Sequence, residues 1–155
     1  MTAHHCIKSD GVFQRARGML NISAMHGSDN QSRLKDLRQQ GSYRVIFPRP
    51  PQGTMEAVII NTAGGITSGD EFATQITAND HTKISVTTQA AERIYRSPDF
   101  TLASMQTRLC TKPNARLYWL PQETILFEGS RLYRRLEAEV AEDSKFLMVE
   151  PLIFG

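Results

Sequence analysis

A chain of 155 residues with 40% hydrophobic and 22% charged content is the size of one domain and has an ordinary globular make-up, which argues against disordered and collagen-like classes. The formal net charge of +2 is small, and Arg131, Arg134 and Arg135 are interleaved with Glu128, Glu137, Glu139 and Glu142, so the dense basic stripe that nucleic acid requires is missing. The two cysteines, Cys6 and Cys110, lie far apart and form neither a disulfide framework nor a zinc knuckle.

Residues 1–10 are polar and unpatterned and are expected to be flexible. The opening Met-Thr-Ala-His-His-Cys lacks the features of a secretory leader, and no apolar run approaches the roughly 18 residues of a membrane span. The expected location is the cytoplasm. From Arg33 to Gln40, Leu34 and Leu37 have helical spacing, with Ser32 as cap and Gly41 as stop, which predicts a short helix. Tyr43 to Phe47 reads as a strand halted by Pro48, Pro50 and Pro51, which remove ladder donors.

Short apolar runs follow, at Ala57 to Asn61, Phe72 to Ile76, Lys83 to Thr88, Leu102 to Thr111 and Arg116 to Leu120, with Asn79-Asp80 and Pro113-Asn114 as turns. This punctuation is that of strands joined by tight connections. Met105, Thr107 and Leu109 alternate with Gln106 and Arg108, the period of a half-buried strand. Cys110 reads as a small buried hydrophobe. Leu132 to Val140 fits a strand face or a helical i, i+4 stripe and is assigned as a strand, because Phe146 to Leu152 continues the same meander. No repeat of fixed length is visible. The apolar end at Leu147 to Gly155 suggests a chain that stops within a fold.

Three segments hold the candidate chemistry. In Ile60-Asn-Thr-Ala-Gly-Gly-Ile-Thr-Ser-Gly-Asp70, the glycines Gly64, Gly65 and Gly69 permit positive φ and close backbone approach, but the pattern is not GxGxxG and no GK[ST] follows, so nucleotide binding is disfavoured. The loop is either a tight turn or a device that places Asp70. In Thr87-Thr-Gln-Ala-Ala-Glu-Arg-Ile-Tyr-Arg-Ser97, the small residues predict close approach of a neighbouring element. Glu92 there is a metal ligand or, more simply, the salt-bridge partner of Arg93 or Arg96. His4, His5, His26 and His81 show no zinc-site spacing, although His4, His5 and Cys6 suit adventitious nickel or copper. GxSxG is absent and Ser68 has no assigned base, which disfavours a nucleophilic enzyme.

Taken with Trp119-Leu-Pro-Gln-Glu-Thr-Ile-Leu-Phe-Glu-Gly129, those two blocks resemble the urease accessory protein UreD (UreH) family in order and spacing. Phe47-Pro-Arg49 and Leu147 to Gly155 extend the resemblance from about Gly11 to the end, so residues 11–155 read as the amino-terminal part of a single UreD-like domain whose carboxyl-terminal half is absent. Ser68 stands where the family usually has glycine and adds a β-carbon at a position that glycine would leave free.

The resemblance implies a mainly β fold, an irregular β-helix-like stack of short-stranded sheets with one or two short helices, incomplete here. It implies a non-catalytic urease maturation factor that binds apo-urease and UreF, with the GTPase UreG joining through UreF, and that passes Ni²⁺ transiently with no tightly bound cofactor. Asp70 and Glu92 are then the candidate carboxylates of an interior nickel route. Gly64, Gly65 and Gly69 shape the loop, while Tyr95, Arg96, Trp119 and Glu123 serve core or partner contacts. The alternatives are a truncated fragment without function of its own and, with less support, an independent hydrolase.

Overall fold

The computed structural model describes residues 14–49 and 53–155. The expected flexible start at 1–10, the His4-His5-Cys6 group and the Pro50-Pro51 stop lie outside the described residues. All regular structure within them is β, with no helix.

Among the described residues, thirteen strands wind into coils that share three faces. One face carries, in spatial order, β2 (Ser32–Gly41), β1 (Arg17–His26), β5 (Glu71–Ala78), β8 (Ala103–Thr111) and β11 (Leu132–Val140). A second carries β3 (Tyr43–Ile46), β4 (Met55–Asn61), β6 (Lys83–Thr88), β9 (Arg116–Trp119) and β12 (Lys145–Met148). The third is made of β7 (Glu92–Ile94), β10 (Thr124–Leu126) and β13 (Leu152–Phe154), extended by a parallel bridge between Ile66 and Ile94. Within each face the coil-to-coil pairings are parallel, and among the strand pairs of the described residues only β1 with β2 and β3 with β4 are antiparallel.

The chain therefore repeats one circuit. β5, β6 and β7 make one coil, β8, β9 and β10 the next, and β11, β12 and β13 the last. A first, irregular coil runs from β1 through the excursion of β2 and β3 to β4, and its third face is the glycine loop. Parallel stacking puts like residues in columns. Ile22, Ile76, Leu109 and Ala138 are successive partners on the first face; Met55, Ile84, Leu117 and Phe146 on the second; and Ile66, Ile94, Leu126 and Phe154 on the third. Ile22, Ile76, Ile84, Ile94, Leu109 and Leu117 are fully buried, and each contributes about 1.5–3 kcal/mol of apolar transfer.

Two sequence expectations are corrected. The segment from Arg33 to Gln40 is strand β2, not a helix, and a β-bulge explains the misleading spacing. Ser23 faces Asp36 but Ala24 faces Leu34, so Lys35 is the extra residue. Removing it from the count turns the Leu34 to Leu37 spacing from three to two, and both leucines then oppose inward-facing residues, Ala24 and Ile22. Cys110 is half-buried rather than buried, because it shares its strand face with Gln106 and Arg108 while Leu109 points inward.

The strand assignment for Leu132 to Val140 holds. Phe146 to Leu152 is two strands, β12 and β13, flanking Pro151. The turns lie where Asn79-Asp80 and Pro113-Asn114 placed them, closed by Thr82 N donating to Asn79 O and Ala115 N to Lys112 O. His81 and Asn114 adopt left-handed φ of 61° and 60°.

Candidate functional site

The glycine loop takes its shape from what surrounds it. Gly64, Gly65 and Gly69 have φ of 78°, 152° and 69°. A β-carbon on Gly65 would overlap the Tyr95 ring and sit 3.0 Å from the Arg93 carbonyl, so glycine is required for the loop to lie against β7. Ile66 N donates to Arg93 O and Tyr95 N returns a bond to Ile66 O, both at 2.8 Å. Asp70 is buried, and its carboxylate accepts Thr67 N and Ala16 N, each at 2.8 Å. It staples the loop to itself and to the approach of β1. The N–H groups of Ile66, Thr67, Gly69 and Asp70 are all engaged within the protein, which leaves little of the donor nest that a phosphate loop needs.

Ser68 is fully buried and donates to Ser97 Oγ at 2.8 Å. It is absent from the residues with positive φ, so this position does not need glycine freedom, and serine supplies a buried hydrogen bond there instead of strain.

Glu92 opens β7 and shares its inward face with the fully buried Ile94. Asn61 Nδ2 donates to both carboxylate oxygens, at 3.0 and 3.2 Å. Its partner is thus an amide, and neither Arg93 nor Arg96 forms an ion pair with it among the described residues. Burial pushes the Glu92 carboxyl up, outweighing the opposing pull of Asn61, the Arg93 backbone and the Arg134 charge. Burial likewise raises the Tyr43 hydroxyl, and the Glu92 charge adds to the effect.

A cavity of about 260 Å³ opens beside Glu92, with Asn61, Gly64, Gly65, Thr88 and Ala90 in its lining. Before Glu92, Gln89 N donates to Ile59 O of β4 at 2.8 Å and Ala91 is half-buried. Gln89 and Ala90 are exposed and form the lip of this cavity, so two of the sequence motifs meet at one mouth.

Inward from the mouth the polar character continues along the stack. Thr124 is the strand partner of Glu92 in the next coil, and its hydroxyl accepts Arg134 Nη1 at 3.1 Å. Arg134 Nη2 pairs with Glu150 Oε1 at 2.6 Å, and Trp119 Nε1 donates to the same oxygen at 2.8 Å. Asn61, Glu92, Thr124 and the pair of Arg134 with Glu150 thus form a polar line across successive coils, which are about 4.8 Å apart.

Sequence reasoning missed Asn61, Arg134 and Glu150. Arg134 had been grouped with a solvated charge run, yet its place between Leu132 and Leu136 in the alternation of β11 marks it as inward-facing.

The remaining candidates are placed as follows. Trp119 is buried core. Tyr95 is partly exposed and stacks on Phe127, with centroids 5.5 Å apart. Arg96 is exposed; its carbonyl accepts Thr67 Oγ1, and it bridges to Ser130. Glu123 is half-buried, and its carbonyl receives Glu92 N at 2.9 Å. Asp70 and Glu92 are not gathered into a metal cluster, and no group of three or more His, Cys, Asp or Glu able to hold a metal ion forms among the described residues. Chemically, the site offers single carboxylates, each already engaged by backbone N–H groups, an amide or a guanidinium, instead of a clustered ligand set.

The family model described as UreD urease accessory protein matches residues 14–155. The chain is 47% identical over 147 residues to the urease accessory protein UreD of Ruegeria sp. (strain TM1040), covering 94% of this chain and 48% of that protein. It is 45% identical over 142 residues to the UreD of Rhizobium rhizogenes (strain K84 / ATCC BAA-868), covering 92% and 51%. The chain spans about half the length of the curated relatives it matches.

Proposed function

The chain belongs to the UreD urease accessory protein family, and from that premise we propose that it is the scaffold half of a non-catalytic urease maturation factor that docks apo-urease and UreF, with UreG joining through UreF, and relays Ni²⁺ through the stack in the cytoplasm. The observation that supports the relay is the polar line beginning at Glu92. A half-buried carboxylate at a cavity mouth, followed by Thr124 in the next coil and Glu150 in the one after, offers successive single oxygen contacts. A cation held by one such contact at a time exchanges readily, as delivery requires. Both proposed route carboxylates are kept. Glu92 faces the cavity, whereas Asp70 offers only the lone pairs left over from its two backbone bonds.

The test uses a full-length relative carrying Glu92→Gln or Asp70→Ala at the matching position. Each variant should lower nickel-dependent urease activation several-fold while still co-purifying with UreF and apo-urease. Undiminished activation in both variants, or loss of UreF binding in both, would remove the route. Capture of UreF or apo-urease by the tagged 155-residue chain would put a docking surface in this half.

A further inference from the structure

We propose that Arg134 is a plug in the interior polar line, a fixed cation that keeps a divalent ion from passing beyond Glu92 and Thr124 until its ion pair with Glu150 is broken. The inference rests on the nickel-route reading above and adds to it the element that controls passage.

The geometry is specific. Arg134 projects inward from β11 and is only 20% exposed at its side chain, as Glu150 is at 19%. Its guanidinium reaches across the interior to the third face, one nitrogen on Thr124 Oγ1 and the other on Glu150 Oε1. Those two oxygens are the acceptors that a cation leaving Glu92 would meet next, and both are occupied by a permanent positive charge. Trp119 Nε1–H holds Glu150 Oε1 from another direction, so the carboxylate is fixed toward Arg134.

Like charges in a poorly solvated space repel strongly. A divalent ion at Glu92 and the guanidinium cannot share Thr124 and Glu150 at once. Passage then requires Arg134 to let go of Thr124 and Glu150.

Trp119 is the single tryptophan of the chain and is bonded to the gated carboxylate, so its fluorescence reports the plug directly. The probe is Ni²⁺ alone, titrated into the purified 155-residue chain at neutral pH, with His4, His5 and Cys6 replaced by alanine so that the amino-terminal ligands cannot contribute. The unplugged variants are Arg134→Gln and Arg134→Met, the second keeping the apolar stem, with folding checked by circular dichroism.

Trp119 emission in the Arg134-containing chain should be unaffected by Ni²⁺ at concentrations that saturably quench either unplugged variant, an apparent affinity difference of at least about tenfold. Adding Glu150→Gln to an unplugged variant should abolish the quenching. Saturable quenching of equal strength with Arg134 in place overturns the proposal without any variant, as does its absence in a folded unplugged chain. The readout does not involve urease. If Glu92→Gln in the full-length relative still lowers activation while the quenching test fails, the route stands and the plug falls; if activation is untouched, the route itself falls.

Discussion

Neighbouring glycines in the same loop should respond differently to alanine, because different forces hold them. At Gly64 the φ of 78° penalises any L side chain, but a β-carbon there meets nothing within 4 Å. The left-handed penalty of about 1–2 kcal/mol is partly offset by about 0.4–1 kcal/mol from the stiffer unfolded chain, leaving Gly64→Ala near 1 kcal/mol. At Gly65 the same methyl overlaps the Tyr95 ring and crowds the Arg93 carbonyl, which adds roughly 1–3 kcal/mol of overpacking. The total is then about 2–4 kcal/mol. For a chain of this size each kcal/mol moves Tm by about 2–4 °C. Thermal melts followed by circular dichroism should therefore show a fall of about 3 °C for Gly64→Ala and roughly 6–12 °C for Gly65→Ala. Equal shifts, or a smaller one at Gly65, would refute the claim that the loop is packed against β7 through Tyr95.

Restoring glycine at position 68 should destabilise the chain by about 1–2 kcal/mol, since Ser68→Gly removes the buried bond to Ser97 and adds chain entropy to the unfolded state; a higher Tm in the variant would contradict this. The raised Glu92 carboxyl means that the folded state binds its proton more tightly than the unfolded state does. Its contribution is therefore full below the unfolded value and is lost as pH climbs through the higher folded one. Glu92→Gln should gain stability relative to glutamate as pH rises out of the ordinary carboxylate range, checked by urea melts across that range, and a difference independent of pH would sink the argument. Ile76→Ala, at a fully buried column position, should cost about 2–5 kcal/mol, measured in the same melts.

Strands such as β4, β5, β6, β8 and β9 were legible because alternation and turn residues are local signals, and Met105, Thr107 and Leu109 declared their face without help from the rest of the chain, whereas β1, β7 and β10 went unassigned. The pairing was not legible. Stacked partners are distant in sequence, and the step from Glu71 to Ser104 is longer than that from Ala103 to Leu132, so the coils never present a fixed period. The bulge at Lys35 imitated helical spacing for the same reason that any inserted residue breaks a period of two. In the site, Glu92 stood out through its motif, whereas Asn61 and Glu150 become meaningful only when coils are stacked. Arg134 was hidden by its neighbours Arg131 and Arg135, although its inward parity was already written in β11.

Because each coil touches only the coils before and after it, cohesion along the stack is nearest-neighbour in kind, like dominoes rather than a drop. Amide exchange should then be graded by position instead of uniform. The coils β5 to β7 and β8 to β10 each have a neighbour on both sides and should open last. The ion pair of Arg134 with Glu150 belongs to the coil β11 to β13 and reaches Thr124 in the coil before it, so the gate sits on one of these nearest-neighbour contacts.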